Sequence, residues 1–150
     1  MVEIRPAIRA ATEADRSTIR KMVFAEHLDP TSLNWRHFLV AENDGQIVGI
    51  GQIRPHRGCL ELGSLVVLES HRKQGIAAQL MVALEARAGY PLYLFCEARM
   101  REFYARSGYD VIGWQDMPWI LRLKRMPTLP FRLFGIRILV MRKDRPAGSS

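Results

Sequence analysis

The chain has 150 residues, of which 48% are hydrophobic and 25% are charged. This composition predicts one globular domain with a sizeable core and excludes a low-complexity chain. No apolar run approaches the roughly 20 residues that a bilayer-spanning helix needs, and residues 1–6 lack the apolar stretch of a secretory signal. Cys59 and Cys96 lie far apart in or beside apolar segments, which favours reduced core thiols and a cytoplasmic location.

In chain order, apolar periodicity and turn residues predict strands at 4–9, 37–42, 46–54, 59–68, 93–96, 111–114 and 134–141, and helices at 13–24, 75–88 and 98–106. Thr12 and Asp15 resemble a capping box, and Asp44-Gly45 between two apolar runs predicts a hairpin turn. Residues 25–36 are expected to be irregular or to form a short second helix capped by Asp29. This order of elements predicts an α/β protein, with a mixed sheet flanked by helices.

Residues 62–77 are the most informative stretch for function. An apolar, β-branched segment leads into a basic turn that contains Gly75, and helix-favouring sequence follows. Such a turn points backbone N–H groups and the positive end of a helix dipole at one place, where a pyrophosphate would bind. Because glycine has no Cβ, a phosphate can approach the main chain at Gly75, and Arg72 and Lys73 add full charges.

Two motifs then carry a family resemblance. Residues 72–77, Arg-Lys-Gln-Gly-Ile-Ala, fit the pattern Q/R-x-x-G-x-G/A, and residues 103–109, Phe-Tyr-Ala-Arg-Ser-Gly-Tyr, fit F-Y-x-x-x-G-F/Y. With residues 8–15 and 46–49, they resemble the GNAT family of N-acetyltransferases over roughly residues 4–114. The chain departs from the family at Glu97, where many members have an asparagine that contacts CoA.

The resemblance implies the acyl-CoA N-acyltransferase fold in a single domain over residues 1–150. This fold has a central, mostly antiparallel sheet with a splayed parallel pair of strands and helices on both faces. The implied reaction moves an acetyl group from acetyl-CoA to a primary amine by direct attack in a ternary complex, without a metal. The residues then expected to contact the cosubstrate are Leu65, Val66, Val67, Arg72, Lys73, Gln74, Gly75, Ile76, Ala77 and Ala78.

Two residues are candidates for catalysis. Tyr104 matches the tyrosine with which the family protonates the sulfur of CoA, although a buried tyrosine also serves as a core aromatic whose hydroxyl is satisfied. Glu61 matches the family's catalytic glutamate and would remove a proton from the amine, directly or through water. The alternative for Glu61 is an exposed strand carboxylate, or one paired with Arg54 or Arg57.

The acceptor amine is not defined by any motif. His27 and Trp35 lie in the segment where the family's acceptor pocket forms, so they are candidate substrate contacts. Surface or packing roles are the alternative for both. The four histidines of the chain show no metal-ligand spacing.

The net charge of +7 resides in the last part of the chain. Residues 1–119 hold 14 basic and 14 acidic side chains, whereas residues 120–150 hold eight basic side chains and Asp144 alone as an acid. Apolar and basic residues alternate from 120 to 126, which predicts, with the strand at 134–141, a C-terminal strand pair over 120–142 with a basic face. Residues 143–150 are expected to form a disordered tail.

Two other functions stay open on the sequence. The protein could be a CoA-binding module without catalysis, as the departure at Glu97 allows. It could instead be a basic adaptor that uses this scaffold to bind nucleic acid or an anionic membrane. Association into a homodimer also stays open.

Overall fold

The structure, a computed structural model, describes residues 5–146. Its helices and strands are β1 (Ala7–Ala10), α1 (Arg16–Ala25), β2 (Phe38–Asn43), β3 (Gln46–His56), β4 (Cys59–Val67), α2 (Ile76–Ala88), β5 (Leu92–Glu97), α3 (Arg101–Arg106), β6 (Asp110–Val111), α4 (Trp119–Arg125) and β7 (Ile138–Lys143). Short 3-10 helices form at Glu13–Asp15, Trp35–His37, Glu69–His71, Ala98–Met100, Trp114–Asp116 and Met126–Phe134. Among the helices of residues 5–146, none has the length and apolar character needed to cross a membrane.

The strands form a seven-stranded mixed sheet in the order β1-β2-β3-β4-β5-β7-β6. Strands β1 and β2, β2 and β3, β5 and β7, and β6 and β7 pair antiparallel. Strands β4 and β5 are the parallel pair, with Glu61 opposite Tyr93. The predicted fold class, a mixed sheet with one parallel pair and flanking helices, is confirmed.

The chain divides into two compact units. Unit 1 comprises residues 1–54 and 62–88, and unit 2 comprises residues 55–61 and 89–150. Strands β3 and β4 each contribute residues to both units, because each division falls inside a strand. The expectation of a single domain over residues 1–150 stays a prediction.

The core of unit 1 lies where helix α1 covers the sheet. Ile19, Met22 and Val23, the three residues predicted to share one helical face, are buried in a cluster with Phe38 and Ile50. Burial of this face, more than the helix propensity of the segment, holds α1 in place, because short helices are marginal without tertiary packing.

Helix α2 approaches the sheet of unit 1 so closely that a Cβ at two strand glycines would press on its leucine side chains. A Cβ at Gly49 would lie 3.0 Å from a methyl carbon of Leu80, and a Cβ at Gly51 would lie 2.8 Å from one of Leu84. Larger residues at these positions would push α2 away from the strands. Because α2 follows directly after the loop at residues 72–75, this packing also fixes the position of the end of that loop.

The predicted C-terminal strand pair over residues 120–142 is wrong. Residues 120–125 belong to helix α4, a nine-residue 3-10 helix follows, and β7 is the one strand found between residues 120 and 142. The helical conformation is favoured because Leu121 is fully buried in the core of unit 2, while Leu123, which a strand would place on the same face as Leu121, is 55% exposed.

The ends of the chain differ in part from the predictions. Lys143, expected to begin a disordered tail, is buried and ends β7. The remainder of that predicted tail includes residues 147–150, which lie outside the described residues, as does residue 4 of the first predicted strand. Between α1 and β2, the irregular alternative for residues 25–36 is the one observed, apart from the 3-10 turn that begins at Trp35.

The predicted capping box at the start of the first helical segment is confirmed. The backbone N–H of Thr12 donates to Asp15 Oδ2 at 2.7 Å, and Arg9 Nη1 donates to the same oxygen at 2.8 Å. The hydrogen bond and charge of Arg9 lower the pKa of Asp15 to about 2, against an ordinary value of 3.8. This buried carboxylate therefore ties β1 to the beginning of α1.

Asp15→Asn should lower the free energy of unfolding by about 2 kcal/mol at pH 7. The folded-state pKa lies below the unfolded value, so the stabilisation is complete above about pH 4 and is lost as the pH falls toward about 2. Urea unfolding at neutral pH and near pH 3 measures this difference, with Asp44→Asn in the exposed β2–β3 turn as the matched control. A deficit that does not shrink at low pH would contradict the assigned ion pair.

Candidate active site

The main chain that precedes the predicted phosphate loop contains a residue in the left-handed conformation. Ser64, inside β4, has φ +50° and is buried. Arg54 Nη2 donates to its hydroxyl at 3.0 Å, and that hydroxyl donates to the side-chain oxygen of Gln52 at 2.9 Å. Because a non-glycine residue in this conformation is strained, these buried contacts are what hold the irregularity that leads into Leu65–Val67.

The buried guanidinium of Arg54 joins this irregularity to the segment between α1 and β2. Its Nη1 lies 3.6 Å from Asp29 Oδ2, and Arg54 is only 4% exposed. Arg54 thus has Asp29 as a charged partner. The sequence named Arg54 only as an alternative partner of Glu61 and did not indicate Gln52, because a polar residue within an apolar strand carries no sign of its partner.

The predicted phosphate loop has the main-chain geometry of an anion-binding turn. Lys73 has φ +64° and Gly75 has φ +80°, and both are exposed. The N–H of Gln79 donates to the carbonyl of Gly75 at 3.0 Å, so residues 76–78 supply the N–H groups that precede the first backbone hydrogen bond of α2. A Cβ at Gly75 would meet nothing within 4 Å, so the turn is open on that side.

Arg72 has a structural contact that the sequence did not show. Its Nε donates to the carbonyl of Val67 at 2.9 Å, and its Nη2 donates to Glu26 Oε1 at 2.7 Å. The guanidinium therefore braces the loop against the end of β4 and the end of α1, all within unit 1. Of the two predicted loop cations, Lys73 is the one for which the structure shows no ion pair among residues 5–146.

Glu61, in unit 2, is one of the most deeply buried carboxylates of the described chain, at 2% exposure. Lys124 Nζ donates to both of its oxygens, at 2.7 and 2.9 Å, and His56 Nε2 lies 2.8 Å from Oε1. The exposed-carboxylate alternative is therefore wrong. The ammonium of Lys124 compensates the charge that burial would otherwise make costly.

His56 and Lys124 are the site residues that sequence reasoning missed. A local signal existed for His56, because the tight turn at residues 57–58 brings the residues on its two sides together. Lys124 lies 63 positions from Glu61, and its segment was predicted as a strand, so nothing local indicated the pair.

Tyr104, in α3 of unit 2, is 9% exposed and packs edge-to-face against Phe103 and Tyr109, with ring centroids 5.1 and 6.3 Å away. Burial, with a smaller contribution from nearby Cys96, raises the pKa of Tyr104 to about 12. Within residues 5–146 its hydroxyl has no hydrogen-bond partner. Tyr104 therefore differs from the alternative predicted from the sequence, a core aromatic residue whose hydroxyl is hydrogen-bonded. The phenol is therefore a protonated donor at neutral pH.

The two predicted acceptor contacts, His27 and Trp35, lie at exposed or intermediate positions, whereas Val66, Val67 and Ile76 of the predicted cosubstrate contacts are buried. His27 is exposed with φ +53° at the end of α1. Trp35 lines a cavity of about 330 Å³ in unit 1 together with Leu33, Asn34 and the basic side chains of Arg16, Arg20 and Arg36. His27 does not line this cavity, so the structure does not bring the two predicted acceptor contacts together in it. Glu97, the departure from the family, is half exposed and pairs with Arg99 at 2.6 Å.

A family comparison agrees with this geometry. Residues 34–111, more than half of the chain, match the model of the acetyltransferase (GNAT) domain. Comparison with curated proteins gives no significant match.

Solved structures with the same fold include several acyltransferases. N-acetylglutamate synthase from Neisseria gonorrhoeae, complexed with coenzyme A and N-acetyl-glutamate, is 19% identical, with a TM-score of 0.74 over 92% of this chain and 34% of that one. Rv2747 from Mycobacterium tuberculosis, in complex with CoA and NLQ, is 18% identical, with a TM-score of 0.74 over 93% and 99%. An acyl-CoA N-acyltransferase from Pseudomonas aeruginosa is 20% identical, with a TM-score of 0.60 over 93% and 99%.

The chain therefore belongs to the GNAT acetyltransferase family, as its motifs predicted. The same family match supports the predicted class of enzyme, an acyltransferase. The solved structures, each below 25% identity, support the fold, and the chain spans about a third of the length of the Neisseria enzyme (34%).

Proposed function

We propose that the protein transfers an acetyl group from acetyl-CoA to a primary amine by direct attack in a ternary complex. The observation that carries the proposal is the open turn at residues 73–75, followed by the three leading N–H groups of α2. A diphosphate fits this turn because amide dipoles converge on it, Lys73 adds a charge and no Cβ obstructs Gly75. The crystals of the Neisseria and Mycobacterium relatives with coenzyme A support the same cosubstrate.

The predicted contacts divide into two kinds on this proposal. Lys73, Gln74 and residues 75–78 would bind the diphosphate through the loop and the start of α2. Leu65, Val66 and Val67 would offer main-chain groups to the pantetheine arm, as an added strand does. Arg72 would act mainly by holding the loop in place, since its guanidinium is already bonded to Val67 and Glu26.

Tyr104 would stabilise the departing thiolate through a hydrogen bond. With a pKa of about 12, its proton is held more tightly than that of a thiol, for which about 8.5 is usual. Complete transfer to the sulfur would be uphill by about 5 kcal/mol, so hydrogen-bond donation contributes more than protonation does. A hydrogen bond to a charged group contributes about 1.5–3 kcal/mol.

Glu61 and His56 would together remove the proton from the amine. Three close contacts from Lys124 and His56 occupy the Glu61 oxygens, which leaves the carboxylate little room to accept a proton itself. Because His56 Nε2 faces the carboxylate, the neutral ring carries its hydrogen there and keeps Nδ1 as the acceptor. Glu61 would then stabilise the imidazolium, as a buried carboxylate does for a catalytic histidine elsewhere.

The atoms balance in this scheme. The amine nitrogen forms a bond to the acetyl carbon, the carbon–sulfur bond breaks, the amine proton moves to His56 Nδ1, and the thiolate leaves with a hydrogen bond from Tyr104. His27 and Trp35 stay as proposed contacts of the acceptor.

Gly75→Glu should weaken coenzyme A binding by about 100-fold or more in calorimetry, because a carboxylate would stand where the diphosphate binds. The matched control is Gly45→Glu, a glycine with φ +77° that also has open space around its Cβ. Both variants carry the same left-handed strain, about 1–2 kcal/mol, so equal losses of stability with unequal losses of affinity are expected. Undiminished affinity in Gly75→Glu would refute the loop assignment.

Tyr104→Phe should lower kcat by roughly 10- to 150-fold while the Kd for acetyl-CoA changes little, because the lost hydrogen bond forms only as the thiolate leaves. Tyr109→Phe removes a hydroxyl from the same buried aromatic cluster and should keep kcat. Steady-state kinetics and calorimetry on both variants measure the difference. Equal effects of the two substitutions would remove Tyr104 from the mechanism.

His56→Gln should lower kcat/KM by about 100-fold or more, because the proton acceptor is lost. Glu61→Gln should lower kcat/KM less, since the imidazole that accepts the proton remains. Steady-state kinetics on both variants measure the difference, and a larger loss in Glu61→Gln than in His56→Gln would make the carboxylate itself the base.

A further inference from the structure

One segment of unit 2 exposes most of the large apolar side chains that face solvent. In the described part of the chain, nine of the thirteen exposed large apolar residues lie between positions 114 and 136. Leu133 and Phe134 are 87% and 80% exposed, and Trp119, Leu123 and Phe131 are exposed as well. Soluble surfaces rarely concentrate apolar side chains in this way unless they bind something.

This exposure follows from the geometry of the segment. In helix α4, Leu121 is fully buried in unit 2 and anchors the helix. The 3-10 helix Met126–Phe134 contains two prolines and buries none of its residues. The segment is therefore held by Leu121 at one end and by the hydrogen bond from Ala98 N–H to the Arg137 carbonyl at the other, and it presents its apolar side chains outward between them.

The same part of the chain is basic. From residue 119 to residue 137 there are five basic side chains and no acidic one. Burial and the charges of Arg132 and Arg137 lower the pKa of the Arg125 guanidinium, and its buried Nε has no hydrogen-bond partner in the described chain. These three guanidinium groups lie near one another, and among residues 5–146 none of them has an ion pair, which favours an anionic partner there.

Apolar and cationic character together restrict what can bind. Nucleic acid would use the charges but would leave side chains such as Leu133 and Phe134 in water. A second copy of this chain across a two-fold interface would bring like charges together. An anionic lipid bilayer accepts both, because apolar side chains enter the interface while arginine side chains contact the phosphates.

We propose that residues 119–137, the docking segment, bind the surface of an anionic phospholipid bilayer, with Phe131, Leu133 and Phe134 entering the head-group region. The attachment is interfacial and reversible. It is independent of the acetyl transfer proposed above, since none of these three side chains belongs to the catalytic or loop residues.

Vesicle sedimentation tests the proposal on the full chain. Binding is expected to phosphatidylcholine vesicles that contain phosphatidylglycerol, about tenfold or more weaker binding to phosphatidylcholine alone, and weakening as salt is raised. Leu133→Ser combined with Phe134→Ser should lower binding to the anionic vesicles by about tenfold or more. Val82→Ser, a 66% exposed apolar position on α2, is the matched control and should bind as the unchanged protein does.

The same measurements distinguish lipid binding from binding to DNA and from self-association. Failure to bind anionic vesicles, or binding that the Leu133/Phe134 double substitution leaves intact, would overturn the proposal. Affinity for duplex DNA that exceeds the affinity for anionic vesicles would replace it with nucleic-acid binding. A dimer in analytical ultracentrifugation that the double substitution dissociates, without vesicle binding, would replace it with self-association.

Discussion

Burial of the Arg54 guanidinium is the constraint on which unit 1 depends. A charge with 4% exposure must be compensated, and Asp29 and the Ser64 hydroxyl are the groups that compensate it. Together these contacts fix the irregular segment after α1 and the left-handed residue in β4. The end of β4 in turn supplies the carbonyl of Val67, to which Arg72 ties the loop at residues 72–75. The conformation of β4 and that of the irregular segment after α1 thus both depend on one buried cation.

In unit 2 the buried charge is an anion, the carboxylate of Glu61. Glu61 lies in the same strand as Ser64, yet its charge is compensated by Lys124 from α4 and by His56 from the adjoining strand. Geometry changes the chemistry that the residue type alone suggests. A free carboxylate would be a base, whereas a carboxylate held by an ammonium orients and stabilises a neighbouring imidazole. Tyr104 shows the same effect, because burial makes it a firm proton holder suited to hydrogen-bond donation.

The sequence predicted those parts of the fold that local physics decides. The buried face of α1, the Thr12–Asp15 capping box and the turn at Gly75 follow from periodicity, capping and backbone freedom, and the structure contains all three. Two kinds of feature were not predictable in this way. The helix α4 depends on how the core of unit 2 accepts Leu121, since alternating apolar and basic residues suit a strand equally well. The pairs that compensate Glu61 and Arg54 depend on contacts between distant segments.

The position of Lys124 has a practical consequence for protein engineering. A more soluble, less cationic form of this protein would be sought by replacing basic residues near the C-terminus, and these residues are not equivalent. Arg122 holds the carbonyls of Trp114 and Gln115, and Lys124 neutralises a carboxylate sealed from solvent. Among residues 5–146, the side chains of Arg132 and Arg137 make neither kind of contact, so a redesigned surface would begin with these two.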